Sequence, residues 1–159
     1  MRLVSSPSEI CDFWRFILAA DLCGAEELND VLAIAFPRVV FSDEFDASMS
    51  ALEGDRRQNW GRVLKHLAVL SDQASRIFRE SPQSHERIAA LGSCGIDASP
   101  DSPKTHGNHK AMGARVFSFS GRGVVCEWHS KLEPNRNRIH FAVAEDVVYV
   151  GRWVAHLPT

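Results

Sequence analysis

The chain has 159 residues, of which 45% are hydrophobic and 24% charged, the composition of a single ordered domain with a substantial core. That excludes disordered and fibrous classes. No apolar run reaches the roughly 18 residues of a membrane span, and the start, with Ser5, Ser6, Pro7 and Glu9, lacks a signal-peptide layout, so a cytoplasmic protein is expected. The net charge of −2 is an average of unlike parts: residues 1–102 carry 10 basic and 16 acidic side chains, residues 103–159 carry 8 and 4. Five of the seven histidines lie in the basic part, at 106, 109, 129, 140 and 156, a hint of an anionic partner there.

In chain order, Phe13, Phe16, Ile17 and Ala20 recur at helical spacing after Ser6-Pro7 until Gly24, and Leu28, Val31, Leu32 and Ala35 repeat the period until Pro37. Val39-Val40-Phe41 predicts a strand at 38–42, followed by a helix cap at Ser42-Asp43. Helices are expected at about 43–53 and 56–70, with a further piece at 72–80 and a short one around His85 to Leu91. Between Gly92 and Gly113 the polar, glycine-containing composition predicts a loop of about 20 residues. Four alternating runs follow, 114–120, 123–131, 138–143 and 147–154, which predict an antiparallel meander and an α+β domain spanning the whole chain. The four cysteines, Cys11, Cys23, Cys94 and Cys126, are spaced too irregularly for a metal knuckle and are expected to be reduced and mostly buried.

Strand parity then sorts the basic residues. Val124, Cys126 and Trp128 oppose Glu127, His129 and Lys131; Ile139, Phe141 and Val143 oppose Arg138 and His140; Arg152 and His156 oppose Tyr149 and Trp153. If the apolar sets face the helices, His129, Lys131, Arg138, His140, Arg152 and His156 converge on one open sheet face. The fourth run fits poorly, because Val148, Val150 and Val154 share parity with Arg152. Cations and imidazoles on an open face suit a phosphodiester, although such residues are also ordinary on a solvated sheet face.

The order of strand, two helices, loop and meander ending in Arg and His resembles the RelE/ParE superfamily of bacterial toxins over about 38–159. The resemblance rests on Val39-Val40-Phe41-Ser42-Asp43-Glu44-Phe45, on Arg136-Asn137-Arg138-Ile139-His140-Phe141, and on Val147-Val148-Tyr149-Val150-Gly151-Arg152 followed by His156. It implies a toxin of a toxin–antitoxin pair: a metal-independent endoribonuclease, a hydrolase without a cofactor, that binds and cuts mRNA on the ribosome and is held by a cognate antitoxin. By position it implies catalytic roles for Arg138, Arg152 and His156, with His129 as a further proton-transfer group. Lys131, His140, Arg136 and the loop residue Lys110 would bind substrate. The alternative is a non-catalytic RelE-fold module that binds protein or nucleic acid.

Residues 1–36 are an addition to that family's compact fold, and residues 1–56 hold 11 acidic and 4 basic side chains. This acidic pair of helices either masks the basic sheet or, through Phe13, Trp14, Phe16 and Ile17, extends the core behind the helices; the second is expected. His106 and His109, three apart, raise a zinc site with His129, His140, Cys94 or Cys126, but the spacing is generic and no metal is expected.

Overall fold

The structure, a computed structural model, describes residues 6–20, 28–47 and 49–159. Helix α1 (Pro7–Ala19) opens on a capping box, in which Ser6 Oγ accepts from the Glu9 amide and the Glu9 carboxylate accepts from the Ser6 amide. The break expected at Gly24, with Cys23, lies outside the described residues. Helix α2 (Leu28–Ala35) buries Val31, Leu32 and Ala35, and the chain then enters strand β1 (Val39–Phe41).

Among the described residues the helix expected at about 43–53 is absent. Ser42 and Asp43 are committed elsewhere: Ser42 Oγ donates to the Gly151 carbonyl at 2.6 Å, and Asp43 holds a distant turn instead of capping a helix. The segment runs through turns, with Met49 at φ 61°, yet its apolar residues still reach the core. Phe45 stacks between Phe41 and Trp153, and Met49 is buried.

Asp55 caps helix α3 (Arg56–Val69), which passes through a π turn at Leu70–Ala74 into α4 (Ser75–Glu80). Helix α5 (Ser84–Ser93) follows. The expected loop is built from short pieces: strand β2 (Asp97–Pro100) and helices α6 (Pro103–His106) and α7 (His109–Gly113). Ser102 and Asn108 cap these helices, so polar residues that signal a loop here start two single-turn helices.

The meander is likewise divided. Strands β3 (Val116–Phe119) and β4 (Arg122–Val125) form a separate hairpin. Strands β5 (Trp128–Lys131), β6 (Arg138–Ala144) and β7 (Val147–Val154) belong to a five-stranded sheet of order β1-β7-β6-β5-β2. Its pairings are antiparallel except β1 with β7. The predicted run 123–131 breaks at Cys126 and Glu127, where Cys126 donates to the Arg115 carbonyl and Glu127 accepts from the Asp101 amide.

The sheet therefore has two covered faces. Trp128, Ile139, Phe141, Val148, Val150 and Trp153 face the helices, with Leu32, Phe36, Val63, Leu67 and Leu70. Behind the sheet, Phe117, Phe119, Cys126 and Leu157 pack on Ala142, Tyr149 and Val154. The poor parity of the last strand has a cause. His140 pairs with Arg152 but Phe141 pairs with Val150, so Gly151 is an extra residue and inverts the alternation. Tyr149 accordingly shares its face with Arg152, whereas Trp153 opposes it.

The two N-terminal helices lie on the helix layer. Trp60 Nε1 donates to the Leu18 carbonyl at 2.8 Å, and Arg15 joins the Ala35 carbonyl and Asp72. They do not mask the basic face. Of the four residues expected to extend the core, Trp14 packs against it, Ile17 is half-buried, and Phe13 and Phe16 stay exposed; Leu18, outside that set, is buried. None of the described helices is long and apolar enough to cross a membrane.

Candidate functional site

Strand register places the basic residues behind the sheet in two cross-strand rows. Lys131, Arg138 and Val154 form one; His129, His140 and Arg152 form the other. The convergence expected from parity is present, but the face is not open. The hairpin and the segment carrying α6 and α7 lie over it, leaving His129 and His140 buried, His140 at 1% exposure.

Beneath this cover lies an ion pair. Arg115, itself 1% exposed, donates through Nε to Asp101 Oδ2 at 2.5 Å and through Nη2 to Oδ1 at 3.2 Å. Burial alone would raise the Asp101 pKa, but the neighbouring His129 and the hydrogen bonds and charge of Arg115 bring it down to about 2. Arg115 Nη1 also donates to the Ala111 and Pro158 carbonyls, each at 2.7 Å. One guanidinium thus joins the end of β2, α7 and the C-terminal segment that carries His156.

Around this pair, His129 Nδ1 stands 3.5 Å from Asp101 Oδ1 and its Nε2 lies 3.4 Å from Ser99 Oγ. The His129 and His140 rings are 5.7 Å apart. Burial, reinforced by the neighbouring His129, pushes the His140 pKa down to about 3, so its imidazole is neutral near pH 7. His140 serves the interior here, not the surface at which it was expected to bind substrate.

At the rim of the cover Arg152 and His156 are exposed and Arg138 is half-buried. Arg138 Nη1 lies 3.3 Å from His156 Nε2, and Arg152 is exposed above the Phe117 ring, 5.7 Å from its centroid. A guanidinium has no lone pair to offer, so in a hydrogen bond between the two it is Nε2 that accepts. Neither Arg138 nor Arg152 has a carboxylate partner among the described residues. The other expected cations differ. Lys131 Nζ is 3.1 Å from Asp97, and Arg136 Nε donates to Glu133 at 2.7 Å with Glu53 further off. Lys110 is exposed on α7, which Asn108 ties to the terminal Thr159 carbonyl.

The rival chemistries find less support in the geometry. His106 pairs at 3.8 Å with Glu127, His109 is exposed, and no group of three or more metal-ligating side chains gathers among the described residues. Cys126 is buried and its thiol is pushed up to about 12 by burial, which suits packing and not nucleophilic attack. Cys11 and Cys94 are half-buried free thiols.

Sequence reasoning missed Asp101, Arg115 and Ser99. The first and last lie in a polar stretch that reads as loop, and Arg115 precedes a strand by one residue, where a solvated cation is the ordinary expectation. Comparison of the chain with protein-family models, curated proteins and solved structures gives no match.

Proposed function

We propose that the chain is a metal-independent endoribonuclease of RelE-like design, acting on mRNA at the rim formed by Arg138, His156 and Arg152. The observation that carries this reading is the 3.3 Å contact between Arg138 and His156 beside an accessible Arg152. The order β1, helices, then the β5-β6-β7 meander with β1 parallel to β7 accords with it.

The arrangement suits transesterification. His156 presents a lone pair at Nε2, the form in which an imidazole can take the proton of a ribose 2′-hydroxyl. The 2′-oxygen attacks phosphorus and the bond to the 5′-oxygen breaks, leaving a 2′,3′-cyclic phosphate and a 5′-hydroxyl protonated from solvent. Arg138, drawn from the imidazole to the phosphate, and Arg152, one pleat of about 7 Å away, offset the charge that develops on the non-bridging oxygens. His129 and His140 touch no RNA in this scheme. With Asp101 and Arg115 they support the strands and the C-terminal segment.

The test is cleavage of end-labelled RNA in excess chelator, together with growth on induced expression. His156→Ala is expected to lower the rate roughly 10²–10⁴-fold and Arg138→Ala roughly 10²–10³-fold, both in folded protein. Undiminished cleavage by the double variant overturns the assigned roles. Absence of both cleavage and growth arrest in the unaltered chain favours a RelE-fold binding module.

A further inference from the structure

Helix α1 is apolar on both sides. Trp14 and Leu18 face the core with Ile10, 43% exposed, at the edge of that face, while Phe13 and Phe16 are 47% and 66% exposed on the side turned away. Helices of this kind are ordinarily covered on every face, and residues three apart, such as Phe13 and Phe16, are neighbours on the helix surface. Ile34, 42% exposed, adds an apolar side chain on the adjoining α2. The pair is well supported from below: the capping box fixes the first turn, and Arg15 binds Asp72 bidentately at 2.7 and 2.8 Å.

The charge around the pair identifies what it takes. Among the described residues of 6–36 the acidic side chains are Glu9, Asp12 and Asp30, and the one basic side chain, Arg15, is turned inward and 19% exposed. Asp12, 74% exposed, flanks Phe13 and Phe16, and Asp30 is exposed on α2. An acidic rim repels an anionic lipid surface, and it also opposes a second copy laid against the same face. We infer that the exposed face of α1 is a docking site for a protein segment that folds as an amphipathic helix, its apolar stripe flanked by Lys or Arg. The site is on the helix layer, away from the Arg138–His156 rim, and does not depend on the ribonuclease reading.

Trp14, in edge contact with Phe13 at 5.4 Å, gives a fluorescence signal for binding to the full chain. The probes are three synthetic peptides of about 14 residues: leucines at helical spacing with flanking lysines, the same stripe with glutamates, and a lysine peptide of scrambled order. The ordered lysine peptide is expected to bind at least about tenfold tighter than either control, and Phe16→Ser to cost about tenfold. Asp12→Lys with Asp30→Lys should reverse the preference toward the glutamate peptide. Equal affinities for the lysine and glutamate peptides, no binding of any peptide, or binding unmoved by Phe16→Ser overturns the inference. So does a concentration-dependent dimer in sedimentation that Phe16→Ser abolishes, which assigns the face to a second copy. Flotation with phosphatidylglycerol vesicles, likewise lost in Phe16→Ser, assigns it to a membrane and equally overturns it.

Discussion

Gly151 has no room for a side chain. A Cβ built there would stand 2.2 Å from the Phe117 ring, which covers the bulge from the hairpin side. The same residue allows Ser42 Oγ to reach the backbone at 2.6 Å, so hairpin, sheet and β1 meet at one glycine. Gly151→Ala must displace an aromatic ring in a packed cluster, and overpacking of this kind costs about 1–3 kcal/mol. The expected outcome is a lower urea midpoint at unchanged slope, with much of the loss recovered when Phe117→Leu is added. A single variant as stable as the original would show that the ring moves aside freely.

At the scale of elements, the hairpin shows what a local pattern conveys. Its alternation is plain in Val116 to Phe119 and in Val124 and Cys126, but alternation does not say which sheet a strand joins. Cys126 and Trp128 share parity and pack in different cores, because the chain changes partners between them. The α+β class, most helices and the facing of β6 were legible, since each depends on residues within a few positions. The bulge at Gly151, the turns replacing a helix after Ser42 and the Asp101–Arg115 pair depend on partners far along the chain, and so were not. Of the site, the facing of Arg138 was legible from parity; the facing of Arg152, which depends on the bulge, and the cover over His129 and His140 were not. That cover is held at its tip by Asp43, which accepts from Ser118 Oγ at 2.5 Å and from the Ser120 and Gly121 amides at 2.8 and 3.1 Å. Those hydrogen bonds, Ser118 first, lower the Asp43 pKa. Asp43→Ala should hasten hydrogen exchange at the Ser120 and Gly121 amides while leaving β6 amides unchanged. Equal protection in both proteins would mean that packing of Phe117 and Phe119 alone fixes the hairpin.

For the molecule as a whole, the burial of histidine governs the response to acid. His66, buried on α3 and 2.5 Å from Ser130 Oγ, has its pKa lowered to about 4, chiefly by burial and secondarily by Lys65. His140, behind the sheet, is lowered further, to about 3. In the unfolded chain both return to about 6.5. Between these values the unfolded state binds more protons, so stability is complete above about pH 6.5 and declines as pH falls through the window down to 4 for His66 and 3 for His140. Each group contributes a slope of up to about 1.4 kcal/mol per pH unit, so passing from pH 7.5 to 5 should remove about 4 kcal/mol. Asp101 adds in the same direction only below its unfolded value, between 3.8 and about 2. A domain of ordinary stability, roughly 5–15 kcal/mol, is therefore brought near unfolding by its histidines before the ion pair titrates. Urea unfolding at the two pH values measures the difference, and His140→Gln should remove about half of it. Equal stability at pH 7.5 and 5 would mean that both imidazoles are already solvated in the native protein, and the rear cover of the sheet would then be open to water.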